Sequence, residues 1–157
     1  MEYLLSIEDI NHHNLIFKLP IKNQNEEFIN FYKIIYSNTN FNLKYILLKL
    51  DYNDYELKYN NNNYLLCVNK NDPFFIKLQQ LEFMILSSIN KNINKTIVCN
   101  CYKELNKKQY LYCFQKFPNL KNLCLKISGV WENNNSIGLV YKVYYNMSTE
   151  KLSNMIC

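Results

Sequence analysis

The residues of this chain best suited to metal chemistry are its cysteines, and their spacing argues against a metal site. Of the six cysteines, Cys99 and Cys101 are separated by a single residue, whereas zinc-binding pairs are usually separated by roughly two to four. Cys113 and Cys124 could complete a set of thiolate ligands. The alternative is that these thiols are reduced and pack as small apolar side chains. We favour that alternative and expect no metal and no cofactor.

The histidines and glycines argue against the commonest enzyme sites. His12 and His13 are adjacent, so on a strand they point to opposite faces, and at most one could activate a cysteine nucleophile. Gly129 and Gly138 stand alone, so the chain has no glycine-rich loop that could hold a nucleotide phosphate. We therefore expect a binding protein without catalytic residues.

Lysine and aromatic residues are interleaved along the strand-like parts of the chain, a combination that suits single-stranded nucleic acid. Aromatic residues make up 15% of the sequence and include 14 tyrosines. Aromatic faces accept stacked bases of any identity, at roughly 1 to 3 kcal/mol per base, while lysines follow the phosphates. Every basic residue is lysine, which lacks the fork that reads base edges in duplex DNA. The pattern favours sequence-tolerant binding of single-stranded DNA or RNA; alternatively, most tyrosines are core residues favoured by A/T-rich codons.

Strand alternation selects the residues that would form the binding surface. If the apolar residues on either side of Lys126 point into the core, Lys126 points outward, and the same alternation turns Lys142 and Tyr144 outward on the next strand. Trp131 could add a ring, although a tryptophan more often anchors a core. Comparable residues of earlier strands complete the predicted nucleic-acid-binding set: Lys44, Tyr55, Lys58, Tyr59 and Tyr64.

Length and composition predict one globular domain. The chain has 157 residues, 48% of them hydrophobic and 20% charged, which is enough to bury a core without disulfides. No linker rich in glycine, serine or proline divides it. We expect a single domain over 1–157, with an N-terminal extension at 1–40, a core at 43–146 and a C-terminal tail at 147–157. The formal net charge of +5 favours a polyanionic partner.

The N-terminal segment and the hydropathy pattern predict a cytoplasmic protein with no membrane partner. Residues 1–9 contain neither the basic region nor the uninterrupted apolar run of a secretion signal. No stretch reaches the roughly 18 consecutive apolar residues that a membrane span needs. A reducing compartment agrees with the expectation of free thiols.

In the first half of the chain, the pattern predicts strands and one N-terminal helix. Residues 12–19 are a short strand candidate, and 25–36 has the cap residue, early acids and apolar spacing typical of a helix. From Leu43 onward, three strand-like runs separated by 51–54 and by the asparagines of 60–63 predict a three-stranded meander.

The second half begins with the strongest helix signal in the sequence. Asp72 and Pro73 place an acid at the N-cap and a proline at the first helical position, and apolar residues recur at helical spacing to about Asn90. Later elements are a predicted hairpin of 96–102 with 109–117, a second hairpin of 123–131 with 137–146, and a short C-terminal helix from Ser148.

From Leu43 onward, this order of elements is that of an OB-fold. Three strands, a helix, an inserted hairpin and two strands match a five-strand Greek-key barrel with its helix between strands three and four. The predicted fold class is β-rich α+β: an OB-fold-like barrel with an inserted hairpin and an N-terminal helical extension. In OB-folds the second and third strands form the usual binding surface, so residues of the meander join the predicted site.

The second predicted hairpin has a distinctive set of residues: Lys126, Gly129, Trp131, Glu132, Gly138, Leu139, Tyr141 and Lys142. With this set it resembles a closing hairpin found in small proteins of nucleocytoplasmic large DNA viruses. Some of those proteins are OB-fold single-stranded DNA-binding proteins. The composition, with abundant asparagine, lysine, isoleucine and tyrosine and no arginine or alanine, is also similar to that of proteins from yeast cytoplasmic linear (killer) plasmids, which carry a virus-like replication system.

The resemblance implies single-stranded DNA binding during cytoplasmic replication of a virus-like or plasmid element with an A/T-rich genome. A homo-oligomer or a replication-complex protein would be a further partner. Phage-like members of the group end in an acidic tail that recruits replication enzymes, whereas residues 146–157 contain only Glu150 as an acid, so we do not expect that recruitment. An alternative from another class is a small accessory interaction subunit of a cytoplasmic RNA polymerase or replication complex. A metal-dependent nuclease is the least favoured alternative.

Overall fold

The computed structural model describes residues 3–22, 29–107, 112–116 and 118–145. It shows a β-rich α+β protein with a curled, half-barrel sheet, a three-stranded sheet and two helices. In chain order the elements are β1 (Leu15–Phe17), β2 (Ile21–Lys22), β3 (Asn30–Ser37), β4 (Asn42–Leu43), β5 (Ile46–Lys49), β6 (Tyr55–Asn60), β7 (Asn63–Val68), α1 (Pro73–Ile93), β8 (Thr96–Ile97), α2 (Asn100–Lys107), β9 (Tyr112–Phe114), β10 (Leu123–Glu132) and β11 (Ser136–Tyr145).

The large sheet is built around the antiparallel hairpin β10–β11. Its strand order is β1-β3-β10-β11-β8, and the short strands β2 and β4 pair with β3. Along one edge, β10 pairs with β11. Along its other edge it pairs with two strands in succession, β5 with its first half and β3 with its second half. The β10–β11 register shifts between Ile127 and Gly129. Such a bulge bends a strand and increases its twist, which helps the sheet to curl.

The three-stranded sheet has β7 in its centre, between β6 and β9. β6 and β7 are joined by a two-residue turn, in which Asn61 and Asn62 have positive φ angles of 47° and 63°. Two left-handed residues in succession make a type I′ turn, whose twist matches that of the strands it joins. Asparagine adopts this conformation more readily than most residues, so the asparagine run has a specific role at this turn.

Helix α1 begins where the sequence predicts and runs to Ile93. Asp72 Oδ1 accepts a hydrogen bond from the backbone N–H of Phe74 at 2.8 Å, and Pro73 occupies the first turn. At the other end Asn94 is left-handed, with a φ of 56°, the conformation that commonly stops a helix. Neither described helix is long and apolar enough to cross a lipid bilayer.

The core lies between the helices and one face of the large sheet, which we call the inner face. Leu78 and Ile85 of α1 are fully buried in the same apolar cluster as Leu125 and Ile127 of β10. Burial of each such side chain is worth about 1.5 to 3 kcal/mol. The inner face therefore carries most of the core. On the opposite face Leu47 and Cys124 are also buried, whereas Phe31, Trp131 and Lys142 there remain partly or fully exposed.

The predicted N-terminal helix at 25–36 is wrong over the part that the structure describes. Asn30–Ser37 forms β3, which lies between β1 and β10. Ile34 and Tyr36 are buried while Ile35 between them is only partly covered, which is the period of two of a strand. The apolar spacing fits both periods, and pairing with the distant β10 decides between them. Residues 23–28 lie outside the described part of the chain.

The predicted hairpin of 96–102 with 109–117 is also wrong. Within 96–102 only Thr96–Ile97 is a strand, and α2 follows it at Asn100–Lys107. Within 109–117, Tyr112–Phe114 is a strand but pairs with β7, and residues 109–111 and 117 lie outside the described part of the chain. The N-terminus of α2 is capped by a distant acid: Glu82 of α1 accepts hydrogen bonds from the backbone N–H groups of Cys101 and Tyr102, at 2.9 and 3.1 Å. Burial raises the pKa of Glu82. Because this cap comes from another helix, the local sequence contains no capping signal that predicts α2.

The remaining predicted pairings have mixed outcomes. The second hairpin is confirmed as β10–β11, and within the predicted meander β6 pairs with β7. The first strand of that meander, β5, pairs instead with β10, and β9 completes the three-stranded sheet. In the predicted strand at 12–19, only Leu15–Phe17 is extended enough to pair. The helix predicted from Ser148 lies outside the described residues.

Candidate nucleic-acid interface

The bulge in β10 brings two predicted site residues onto one face. Leu125, Ile127 and Val130 point to the inner face and are fully buried. Lys126 and Trp131 alternate with them, so both point to the opposite side of the sheet, which we call the outer face. In a regular strand two residues five positions apart would lie on opposite faces. The register shift after Ile127 absorbs one residue and places the lysine and the tryptophan together.

Two aromatic rings pack over glycines on the outer face. Trp131 is opposite Gly138 on β11 and opposite Phe31 on β3. A Cβ on Gly138 would lie 2.6 Å from Cε2 of Trp131, and a Cβ on Gly129 would lie 2.5 Å from Cε2 of Phe31. These distances are too short for real atoms, so each ring fills the space over a glycine. Both rings remain partly exposed.

Lysines border these rings. Lys126 and Lys142 are directly opposite each other in the β10–β11 ladder. Lys33 of β3 is opposite Gly129 of β10. The Nζ of Lys126 lies 4.0 Å from the centroid of the Tyr45 ring, a cation–π contact that adds a third aromatic residue to the surface. Like charges directly opposite each other destabilise a sheet. A bound anion would relieve that repulsion.

The acid that follows Trp131 in β10 is turned to the inner face. Glu132 follows Trp131 and accepts hydrogen bonds from Asn30 Nδ2 at 2.7 Å and Tyr32 Oη at 2.8 Å, and it pairs with Lys95 Nζ at 2.6 Å. Burial alone would raise the pKa of Glu132, but the three partners lower it. Burial and the neighbouring carboxylate raise the pKa of Tyr32 to about 12. The strands β3, β5, β10 and β11 contain no other acid. Just after β5, Asp51 pairs at 2.9 Å with Lys49, which lies opposite Cys124 at the end of the outer face away from Trp131.

The predicted residues of β6 do not share a face. Tyr55 and Tyr59 alternate with Lys58, so the rings lie on the core side of the three-stranded sheet and Lys58 lies on the other side. Tyr59 is nevertheless 64% exposed, and its ring centroid is 5.0 Å from that of its cross-strand partner Tyr64. Lys58 Nζ lies 3.5 Å from a carboxylate oxygen of Glu56 on the same strand. The structure therefore does not join Lys58 and these tyrosines in one binding surface.

The last two predicted residues are Lys44 and Tyr144. Lys44 is exposed in the turn between β4 and β5. Tyr144 is opposite Cys124 in the β10–β11 ladder, and its side chain lies outside the described part of the structure. The predicted residues that the structure brings together are Lys126, Trp131 and Lys142.

Three residues of this surface were missed by reasoning from the sequence. Phe31 and Lys33 lie on β3, whose apolar spacing suggested a helix, and Tyr45 immediately precedes β5. The spacing of two residues between Phe31 and Lys33, which also holds between Lys33 and Ile35, was the signal that could have found them. We call Phe31, Lys33, Tyr45, Lys126, Trp131 and Lys142 the outer-face set.

The thiols do not assemble into a metal site within the ranges that the structure describes. No three side chains of His, Cys, Asp or Glu come together there to hold an ion. Cys99 precedes α2 and Cys101 is buried in it, while Cys113 and Cys124 lie in β9 and β10. Burial raises the pKa of Cys101, which keeps its thiol protonated and makes it a poor ligand and nucleophile.

No protein-family model, no curated protein and no solved structure matches this chain. Among the surfaces of the described residues, the outer-face set combines partly exposed aromatic rings with three lysines.

Proposed function

We propose that this protein binds single-stranded nucleic acid, preferentially DNA, across the outer face of its large sheet and with little sequence preference. One observation carries the proposal: the partly exposed rings of Phe31 and Trp131 lie beside lysines on a sheet face whose strands β3, β5, β10 and β11 contain no acid except Glu132, which is turned to the inner face. The protein acts by binding and carries out no reaction of its own.

Rings and ammonium groups would recognise different parts of a single strand. A base stacks on an aromatic face whatever its identity, worth roughly 1 to 3 kcal/mol, while ammonium groups attract the phosphates. From Lys126 to Trp131, β10 extends over roughly 16 Å, which accommodates a short run of nucleotides. A duplex hides the faces of its bases inside the stack, so this surface favours single strands.

The number of lysines sets the expected dependence on salt. Each phosphate neutralised on a single strand contributes about −0.7 to the slope of log affinity against log salt. With Lys33, Lys126 and Lys142 all engaged, we expect a slope of about −2. Lysine lacks the fork that distinguishes base edges, which agrees with binding that tolerates any sequence.

We also propose that the fold is an OB-like barrel and that its setting is DNA replication. Antiparallel pairing of β6 with β7, β10 with β11 and β5 with β10 supports a barrel in which the last hairpin meets the first strand. The resemblance of the β10–β11 hairpin to proteins of nucleocytoplasmic large DNA viruses, and of the composition to killer-plasmid proteins, favours a virus-like or plasmid element with an A/T-rich genome. Replication of such an element would place the protein in the cytoplasm.

Fluorescence of Trp131 provides the test, because it is the single tryptophan of the chain and belongs to the outer-face set. We expect oligo-dT to quench its emission, with an affinity that falls as salt rises. The double variant Lys126→Glu, Lys142→Glu should lose this response while its circular dichroism stays that of the wild type. The matched control Lys70→Glu, Lys91→Glu makes the same charge change at exposed lysines elsewhere and should lose far less. No quenching at low salt, or equal loss in the control, would reject the proposal.

Exposed aliphatic residues at the β1–β2 edge favour a second function, docking onto a larger protein. Ile16, Leu19 and Ile21 are 50%, 88% and 61% exposed, and clustered apolar exposure of this kind marks protein interfaces. They support the alternative of an accessory subunit of a cytoplasmic RNA polymerase or replication complex. Under that alternative, Ile16→Ser with Leu19→Ser abolishes co-purification with the polymerase and leaves oligo-dT quenching unaffected; Ile21 is left unchanged because it lies opposite Phe31 of the outer-face set. Charge reversal at Lys126 and Lys142 would abolish oligo-dT quenching and leave co-purification with the polymerase intact.

A further inference from the structure

Strand β6 is an open edge of the three-stranded sheet. Among the residues that the structure describes it pairs only with β7, which separates it from β9. Five of its six residues are exposed. An edge of this kind presents backbone N–H and C=O groups to any strand that can pair with it.

The tight turn after β6 determines which of its backbone groups face the open edge. Asn60 and Asn63 flank the two-residue turn and form the hydrogen-bonded pair that closes the hairpin. Hydrogen-bonded positions alternate along an antiparallel ladder, so Glu56 and Lys58 also bond to β7. The residues whose backbone groups point away from β7 are Tyr55, Leu57 and Tyr59.

The sequence of β6 is complementary to itself when two copies run antiparallel. The segment from Tyr55 to Tyr59 is Tyr-Glu-Leu-Lys-Tyr, in which the residues on either side of Leu57 are a matching acid and base and the outermost residues are both tyrosine. Two copies centred on Leu57 therefore place Glu56 opposite Lys58 and tyrosine opposite tyrosine. Opposite charges and aromatic pairs directly opposite each other across strands both stabilise the pairing.

We propose that two copies of this chain pair β6 with β6 about a two-fold axis at Leu57, which joins their three-stranded sheets into one. The outward-facing groups of Tyr55, Leu57 and Tyr59 provide about six backbone hydrogen bonds in this register. Glu56 and Lys58 fall in the non-hydrogen-bonded positions, where side chains of opposing strands approach most closely. The interface is the same patch on both copies, as two-fold symmetry requires.

Charge selects this register over its neighbours. An axis at Glu56 would set two carboxylates opposite each other, and an axis at Lys58 would set two ammonium groups opposite each other, and both arrangements are destabilising. With the axis at Leu57, the Glu56–Lys58 ion pair within each strand becomes part of an alternating group of four charges. The partner is thus a second copy of this chain rather than an arbitrary strand.

Charge reversal and its restoration test the proposal. Lys58→Glu places an acid opposite an acid in both cross-strand pairs, so the dimer dissociation constant should rise about tenfold or more. Adding Glu56→Lys to the same chain exchanges the two signs and should restore the dimer. Sedimentation equilibrium over a range of protein concentrations measures each dissociation constant. Lys121→Glu makes the same charge change at an exposed lysine outside β6 and should leave the dimer intact.

Hydrogen exchange gives a readout that needs no variant. The amides of Tyr55, Leu57 and Tyr59 should become protected as the protein concentration rises, because pairing with the second copy supplies acceptors for them. A wild-type chain that stays monomeric at every concentration would overturn the proposal. A dimer that survives Lys58→Glu would also overturn it, as would a folded variant carrying both Lys58→Glu and Glu56→Lys that remains monomeric. The outer-face variant Lys126→Glu, Lys142→Glu should still dimerise, so failure of this proposal and failure of nucleic-acid binding are separate results.

Discussion

The two hairpins of this protein both contain lysine, glutamate and tyrosine, but they distribute these residues differently over their faces. In β10–β11, Lys126 faces Lys142 and a bulge brings Trp131 to the same side. In β6–β7, Lys58 alternates with tyrosines and lies beside Glu56. The first hairpin collects positive charge and rings on one face, whereas the second separates rings from charges and balances the charges. Composition is thus a poor guide to a binding face, and cross-strand register is a better one.

This difference suits the hairpins to different partners. An unbalanced positive face with flat rings suits a polyanion that carries bases, while an exposed edge with alternating charges suits another strand of the same sequence. Each hairpin is also held in place by its own buried carboxylate, Asp72 for β6–β7 and Glu132 for β10–β11. Removing each anchor separately tests how independent the two hairpins are.

Loss of Asp72 should have the largest effect. Its carboxylate, on a residue that is 1% exposed, accepts backbone hydrogen bonds from Phe74 at 2.8 Å and from Asn53 and Asp54 at 2.7 Å each. Asp72→Ala removes the helix cap and leaves the donors just before β6 without an acceptor, so the free energy of unfolding should fall by about 3 kcal/mol. Urea denaturation measures it. Asp72→Asn keeps one acceptor oxygen and should cost roughly half as much; an equal cost would contradict this explanation.

Loss of the Glu132 charge should have the next largest effect, and it should depend on pH. Because partners lower the pKa of Glu132 below its ordinary value of 4.5, its contribution to stability is present above that value and is lost as the pH falls through the lowered pKa. Glu132→Gln leaves Lys95 without its carboxylate and should cost about 2 kcal/mol at neutral pH.

The same comparison at acid pH supplies the check. The difference in unfolding free energy between wild type and Glu132→Gln should shrink once the pH drops below about 4.5. Glu56→Gln, in the exposed ion pair of the other hairpin, should cost less than about 1 kcal/mol at neutral pH. A cost for Glu132→Gln that stays constant across the acid range would mean that the residue acts through shape rather than charge.

The turns of the two hairpins should respond differently to glycine. Asn62 contributes a left-handed backbone, whereas Asn133 contributes a side-chain acceptor for the backbone N–H groups of Asn135 and Ser136, at 2.9 and 2.7 Å. Asn62→Gly should therefore change stability by less than about 0.5 kcal/mol, because glycine adopts positive φ freely. Asn133→Gly should cost about 1 kcal/mol. Thermal unfolding of both variants measures the difference, and a larger cost at position 62 would reverse the assignment of the two turns.

Elements with local signals were the ones that the sequence predicted. The cap and proline of α1 are adjacent residues, and the alternation of β10–β11 lies within one hairpin, so both were found. β3 was assigned to a helix because its apolar spacing fits both periods and its pairing partner β10 lies far along the chain. α2 was missed because Glu82, which caps it, belongs to another helix.

Within the outer-face set, too, some residues follow from the local sequence and others depend on pairing with distant strands. Lys126 and Lys142 follow from alternation alone: Lys126 sits between the buried Leu125 and Ile127, and Lys142 between the partly buried Tyr141 and the buried Val143. Phe31 and Lys33 could not be placed without the pairing of β3 with β10. Strict alternation from Lys126 would have put Trp131 on the inner face, and only the register shift after Ile127 brings it outward. Non-local pairing and one bulge therefore account for what the sequence left open.

The smallest expected effect separates the hairpins by their binding. Lys142→Gln removes one ammonium group from the outer face, so the affinity for an oligo-dT short enough to lie on one copy should fall about fivefold, and the salt slope should weaken by about 0.7. Lys58→Gln removes the same charge from β6–β7 and should change neither quantity. Quenching of Trp131 at several salt concentrations measures both variants. Equal changes in the two would mean that net charge, and not the register that gathers lysines beside flat rings, governs binding.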